Sequence, residues 1–269
     1  MRLYANCYEL LSEVYREVVE MGILVKPKSM QNKNIEGNED YHTKEIRSYQ
    51  YNLLSLYAEN LLFESIQVKD WANEELGERL LNPNIYPSSD DNNLFNKHGY
   101  VNPGKAWLLR DDVWSQFLVE TKDGPMFDYS YNERLHWLNS LKLIIDELKR
   151  NPDTRQAVLS IYDKKDVLYI GGKKRIPCSM YYNFHIRPDV NGQPELCIIY
   201  HQRSADVVTH FGNDIWLAWK LMEYVAEQVG VKPGNLIHNI DSLHAYKKDW
   251  AKLEEMRDNL PNRNKHIVK

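Results

Sequence analysis

Residues 180–201 constrain this chain more than any other stretch. Two runs, 180–187 and 195–201, are rich in β-branched and aromatic side chains, and between them stands Asn191-Gly192, a strong signal for a tight hairpin turn. A third strand-like run, 156–162, precedes them. Helical patterns lie on either side. Residues 133–150 carry Leu135, Leu138, Leu141, Ile145 and Leu148 on one face, with Asn-Pro-Asp-Thr just beyond the basic end. Residues 214–229 carry Ile215, Ala218, Trp219, Met222, Val225 and Val229, followed by Gly230 and Pro233. Consecutive strands joined by a hairpin exclude a doubly wound sheet of alternating strands and helices, so the predicted class is mixed α+β.

In the N-terminal half, Cys7, Leu10, Leu11, Val14, Val18 and Met21 recur at helical spacing and Gly22 supplies a stop, which predicts an amphipathic helix over 7–21. The polar stretch 26–40 predicts a loop, 47–54 an extended segment, and 68–81 a second helix closed by Asn82 and Pro83. Residues 83–103, with their Asn, Asp, Ser, Pro and Gly, predict an irregular insertion. A last strand is expected over 236–246. No Gly/Ser/Pro-rich linker divides the 269 residues, which read as a single domain.

Charge and cysteine usage narrow the function classes. Against 38 acidic residues stand 34 basic ones, a net charge of -4, so no extended electrostatic footprint for nucleic acid or an anionic membrane is expected. A local cluster of arginines can still hold a small anion. No apolar run reaches the roughly eighteen residues that cross a bilayer, and the opening residues mix acidic side chains with amphipathic spacing, so a cytoplasmic location is expected. Cys7, Cys178 and Cys197 are odd in number and match no metal spacing, so free thiols and no metal are expected.

Three short segments concentrate chemistry. In Arg175-Ile176-Pro177-Cys178 a proline holds the chain extended, and a nearby cation favours the thiolate of Cys178, its nucleophilic form. Taken alone, Cys178 also reads as a small core hydrophobe, as do Cys7 and Cys197. In His201-Gln202-Arg203-Ser204-Ala205-Asp206, Arg203 and Ser204 offer a phosphate a fork of donors and a hydroxyl, and Asp206 can hold a cationic or amide-rich ring. The plain alternative is a solvated ion pair in a loop. In 241–246, His244 and Tyr246 alternate onto one face of a strand and suit a sugar hydroxyl, or serve packing alone.

In order, Arg-x-Pro-Cys, then Gln-Arg-Ser-x-Asp, then Asp-x-x-His-x-Tyr resemble the thymidylate synthase superfamily, most densely over 131–250. Asn151-Pro152-Asp153-Thr154-Arg155 is similar to that family's Asp-Pro-x-Ser-Arg phosphate loop, and Glu74-Glu75-Leu76 and Val113-Trp114 fall in family order. The resemblance implies a thymidylate synthase-like α+β fold, a mixed and antiparallel sheet flanked by helices, with one sheet face at a homodimer interface. It also implies a reaction at C5 of a pyrimidine nucleoside 5′-monophosphate, with 5,10-methylenetetrahydrofolate as one-carbon donor. C5 is a feeble nucleophile until a thiolate adds at C6, so the residue matching the family's cysteine, Cys178, is the implied covalent catalyst. A base later removes the C5 proton and folate leaves, and the exocyclic methylene takes hydride in a synthase or water in a hydroxymethylase.

By position, the resemblance assigns Arg203 and Ser204 to the phosphate, Gln202 to support of that loop, and Arg155 to the phosphate in the other subunit's site. It assigns Asp206 to the pterin, Trp114 to the folate wall, His244 and Tyr246 to the ribose 3′-hydroxyl, and Tyr131 to proton transfer. Glu75, or its neighbour Glu74, is implied to organise water and protons.

One departure bears on the substrate. Where thymidylate synthases carry an asparagine eight residues after the pterin aspartate, this chain carries Asp214. An amide complements uracil, which presents an N3 donor beside an O4 acceptor. A carboxyl group meets cytosine if one oxygen accepts from N4 and the other shares a proton with N3, and that proton stabilises the charge developing when thiolate attacks C6. Aspartate here resembles the deoxycytidylate and cytidylate 5-hydroxymethylases. Two rivals stay open: Asp214 as a helix N-cap, and a one-residue slip that puts Asn213 in its place. Ser179 in place of a histidine, His210 in place of a glycine, and a C-terminal 262–269 unlike the family tail are further departures. The expected product is 5-hydroxymethyl-dCMP, with CMP as the other substrate. The alternatives are a thymidylate synthase, a dUMP hydroxymethylase, or a catalytically silent nucleotide- or RNA-binding relative.

Overall fold

The protein is described by a computed structural model covering residues 1–64, 68–81, 103–122 and 124–260. The insertion expected over 83–103 lies outside the described residues except for Pro103, as do Asn82, Pro83 and the C-terminal 262–269. The N-terminal half contributes β1 (Arg2–Tyr4), α1 (Cys7–Met21), β2 (Ile23–Val25), a small hairpin of β3 (Ser29–Met30) and β4 (Lys33–Asn34), β5 (Thr43–Leu53) and α2 (Lys69–Leu80). A short helix α3 (Asp111–Trp114), a second hairpin of β6 (Val119–Thr121) and β7 (Gly124–Met126), and helices α4 (Tyr131–His136) and α5 (Ser140–Arg150) follow. The rest is β8 (Val158–Ser160), β9 (Ser179–Pro188), β10 (Pro194–Gln202), β11 (Ala205–Asp206), α6 (Phe211–Val229), β12 (Lys232–Tyr246) and α7 (Trp250–Asn259).

The main sheet runs β1-β5-β12-β10-β9-β8, with β2 beside β5 and β11 beside β12. Pairing is antiparallel in β5–β12, β10–β9 and β9–β8 but parallel in β10–β12, so the sheet is mixed, as the α+β class requires. Alternation does the sorting. Leu196, Ile198, Tyr200 and Gln202 of β10 are buried beneath the helices, while Cys197, Ile199 and His201 point to a row that stays partly exposed. Helix α1 begins as its sequence predicts, capped by the Asn6 side chain accepting from the Glu9 amide at 3.0 Å. Its stripe of Cys7, Leu10, Leu11, Val14 and Val18 is fully buried.

Three expectations are corrected, and one helix is unforeseen. The helix expected over 133–150 is two helices. The chain starts at Tyr131, breaks where Leu138 and Asn139 take left-handed conformations (φ 53° and 62°), and resumes as α5. Leu138, assigned to the apolar face by its spacing, is 82% exposed. Helix α6 starts at Phe211 with His210 at its N-cap, so Asp214 is not the cap but sits in the first turn. The hairpin turn is longer than the Asn-Gly pair suggests, because Asp189 folds residues 189–193 around its carboxylate, which accepts from the Asn191 and Gln193 amides at 2.8 Å each, with Gly192 at φ 79°. Helix α7, against α1, has no counterpart in the sequence reading, since only Leu253 and Met256 of it are buried.

Candidate active site

The sheet's C-terminal edge is irregular, and the irregularity builds a cavity. Between His201 and Gln202 the β9–β10 register slips by one, so Gln202 lies opposite Ser179 and Met180 bulges. Cys178 therefore stands just before a strand whose neighbour ends in Gln202-Arg203-Ser204. Strand β11 then lays Ala205 and Asp206 beside Leu243 and His244 of β12. The result is a cavity of about 540 Å³. From β9 to β11 its wall takes Cys178, Gln202, Arg203, Ser204 and Asp206; β12 adds His244 and Tyr246. Helices supply Glu75, Trp114, Tyr131 and Asp214. Arg155 is not brought there: it is exposed, in the loop between α5 and β8. Glu74 is exposed and off the cavity, which leaves Glu75 of the two glutamates.

Arg203 ties the phosphate candidate to the nucleophile candidate. Its Nε donates to the Pro177 carbonyl and one terminal nitrogen to the Ile176 carbonyl, both at 2.9 Å, and its own amide donates to the Cys178 carbonyl at 2.9 Å. The expected thiolate is corrected here. Burial pushes the Cys178 thiol up by more than Arg203 and Arg175 pull it down, so the resting group is a thiol. Gln31, at the turn of the β3–β4 hairpin with φ 54°, donates to Cys178 Sγ at 3.7 Å and accepts from the Ile176 amide at 3.1 Å. Sequence reading gave this loop no chemistry.

Opposite the thiol, burial pushes the Asp214 carboxyl up to about 6, although Gln202 donates its amide to Oδ2 at 2.7 Å and Arg79 lies nearby. Asn213 is turned away from the cavity and buried, with neither amide atom partnered. In this structure the Asp214 carboxyl group, and not the Asn213 amide, lines the cavity. Arg79 is a cation the sequence reading missed. Burial opposes its charge, but Glu75 at 2.7 Å, with the Tyr182 and Tyr131 phenols, holds it protonated, and its guanidinium lies 4.1 Å over the Tyr131 ring. Glu78 was also missed. It lines the cavity, accepts from the Ala106 amide at 2.9 Å, and is pushed by burial up to about 7. Tyr131 receives a bond from Ser179 at 3.4 Å, and Ser179 lies 2.6 Å from the Tyr200 hydroxyl.

The far wall is aromatic. Trp114 stacks on Trp71 at 6.1 Å and meets His210 at 5.5 Å, and its buried indole N–H finds no acceptor. Burial, helped by Arg110, holds His210 neutral by lowering it to about 4. Asp206 uses Oδ1 on the Val208 and Thr209 amides, at 3.1 and 3.3 Å. A flat heterocycle with donors and acceptors on its rim fits such a wall. Among the described residues no His/Cys/Asp/Glu group could hold a metal ion.

The profile of the thymidylate synthase family matches residues 105–267, which include the cysteine, the phosphate grip and the cavity aspartates. The chain belongs to the thymidylate synthase family. It is 28% identical over 151 residues to a putative thymidylate synthase of Methanosarcina barkeri, covering 55% of this chain and 66% of that one. With the deoxyuridylate hydroxymethyltransferase of Bacillus phage SP01 it shares 31% over 174 residues, covering 55% and 44%. The match thus spans less than two thirds of either relative. As a fold, this family member superposes on thermostable thymidylate synthase A from Bacillus subtilis with a TM-score of 0.64 at 14% identity, over 94% of this chain and 84% of that one. The thymidylate synthase of T4 phage gives 0.61 at 17%, over 91% and 79%.

Proposed function

We propose that this family member is a folate-dependent cytidylate 5-hydroxymethylase acting on dCMP, with CMP as the alternative substrate. The observation that carries the reading is Asp214: a carboxyl group on the cavity wall, raised to about 6 by burial, where an amide would suit uracil. A raised carboxyl keeps a proton to share with cytosine N3 while its other oxygen accepts from N4.

The remaining residues take the roles that the family resemblance implies. Arg203 and Ser204 take the 5′-phosphate, joined by Arg155 of the partner subunit in a homodimer with shared sites. His244 and Tyr246 hold the ribose. Cys178, a thiol at rest, gives up its proton to cavity water as Sγ adds to C6, and Arg203 couples that step to phosphate occupancy through its two bonds to the Ile176 and Pro177 carbonyls. Methylenetetrahydrofolate is the one-carbon donor, with Trp114 and Asp206 lining its side. Glu75, braced by Arg79, orders the water that adds to the exocyclic methylene, and Tyr131, a protonated phenol, assists transfer of the C5 proton as a relay, passing its own proton on to ordered water as it takes that one up. The partly exposed row of β9 and β10 suits the second subunit, and a cytoplasmic location suits the substrates.

The test is direct: purified protein with methylenetetrahydrofolate and, separately, dCMP, CMP and dUMP, each product read by mass spectrometry and each folate by absorbance. Hydroxymethylated cytidylate with tetrahydrofolate supports the reading. A uridylate product, hydroxymethylated as the SP01 relative's name suggests or methylated with dihydrofolate, overturns it. Binding without turnover of any nucleotide makes the chain a silent relative.

A further inference from the structure

One titratable group at the centre of the sheet has no part in that mechanism. His238 is fully buried. It sits in a row of rings crossing four strands, Tyr51 of β5, His238 of β12, Tyr200 of β10 and Tyr182 of β9, each directly opposite the next. Its ring stacks on Tyr200 at 4.4 Å and 15° and meets Tyr51 and Phe211 at 5.3 and 6.3 Å. Burial lowers its pKa to about 3, so the imidazole is neutral and carries one ring proton. Nδ1 lies 2.8 Å from the Tyr51 hydroxyl, and Nε2 lies 3.0 Å from Gln202 Oε1. Gln202 Nε2 continues the chain to Asp214 Oδ2 at 2.7 Å.

Such a chain has only two self-consistent polarities. In the first, Tyr51 donates to Nδ1, Nε2–H donates to the Gln202 carbonyl, and the Gln202 amide donates to Asp214. In the second every bond reverses: Nδ1–H donates to Tyr51, Gln202 is flipped, and Asp214 must spend its own proton on the Gln202 carbonyl. The second leaves the Tyr51 O–H buried with no acceptor, whereas the first leaves only spare lone pairs, so the first is favoured.

We propose that Tyr51 and His238 are positioning residues that fix the base specificity of Asp214: by imposing the first polarity they fill Oδ2 with the Gln202 N–H and reserve the proton of Asp214 for the pyrimidine. This rests on the cytidylate reading above. Neither residue lines the cavity, and both act through Gln202.

The experiment measures dissociation constants of dCMP and dUMP by calorimetry for the wild type, Tyr51→Phe, His238→Phe and His238→Gln, with ¹⁵N spectra of the His238 ring in the wild type. The wild-type ring should be the Nε2–H tautomer. Tyr51→Phe and His238→Phe should lower the dCMP to dUMP preference by about tenfold, the share of one buried hydrogen bond, and His238→Gln, whose amide can still donate to Gln202, should restore it. A purely structural role would weaken both nucleotides alike. An unchanged preference in folded Tyr51→Phe, or an Nδ1–H tautomer in the wild type, overturns the proposal. A wild type that prefers dUMP overturns the cytidylate reading instead, and the ring tautomer then still decides the polarity. Should His238→Phe fail to fold, Tyr51→Phe and the spectra carry the test.

Discussion

At Asp214 the proposed base reading and the stability of the fold depend on one titration. Its carboxyl is raised to about 6, above the ordinary aspartate value of 3.8, so the folded chain binds that proton more tightly than the unfolded one. The stabilising contribution is therefore full below about pH 4 and lost as pH rises through about 6. With the cavity's water screening part of the effect, the ionised group costs on the order of 1–2 kcal/mol at pH 8. Asp214→Asn should accordingly melt higher than wild type at pH 8 and equal to it near pH 4, as calorimetry at the two pH values would read. The same variant should lose the fall in kcat/KM for cytidylate above about pH 6, and shift preference toward uridylate by about a hundredfold or more. A flat comparison on both counts would remove Asp214 from base reading. Glu78, pushed up to about 7, is the rival of Glu75 for the proposed role of proton carrier. If Glu75 organises the water, Glu75→Gln should cut turnover by about a hundredfold while Glu78→Gln keeps it within about tenfold; the opposite ranking would exchange their roles. Cys178, Arg203 and Asp206 were legible in sequence because each lies in a dense local motif. Gln31, Arg79, Tyr51 and His238 were not, since their partners lie 147, 4, 187 and 36 residues away, and even the short Glu75–Arg79 step is an ordinary helix pair until the cavity is seen beside it.

Among the elements, the break between α4 and α5 is set by geometry that hydrophobic spacing cannot report. Leu138 falls on the helical stripe by count, yet left-handed backbone turns it outward. A β-branch-free but bulky residue in that region costs roughly 1 kcal/mol over glycine. Leu138→Gly should thus raise the melting temperature by a few degrees, with about 1 kcal/mol gained in denaturant titration. A loss of stability would mean that the leucine contributes a contact worth more than the strain. Helix α7 went unread for a related reason, because two buried side chains over ten residues leave no stripe to count. By contrast α1, β9, β10 and β12 were legible, for each is long, periodic and bounded by Asn, Gly or Pro.

For the whole molecule, Arg155 poses the sharpest question, being exposed and absent from the wall of its own chain's cavity. If the partner subunit's cavity receives it, Arg155→Ala and Cys178→Ser should each be inactive, and unfolding and refolding them together should restore about a quarter of wild-type activity, since half the dimers are mixed and each mixed dimer has one intact site. No recovery, or a monomer in sedimentation, would sink the shared site. The antiparallel half of the sheet was visible in advance through its hairpin, but the parallel seam between β10 and β12 was not, because α6 intervenes and no local signal sets the pairing. At the centre of that sheet, β12 pairs with β5 in the register that sets His238 opposite Tyr51, joining segments near the two ends of the sequence. During translation this pairing cannot close until β12 has left the ribosome, long after β5. A nascent or truncated chain lacking β12 lacks His244 and Tyr246 of the cavity wall and the strand that β11 pairs with, so under the proposed function a premature stop there should yield no partial activity.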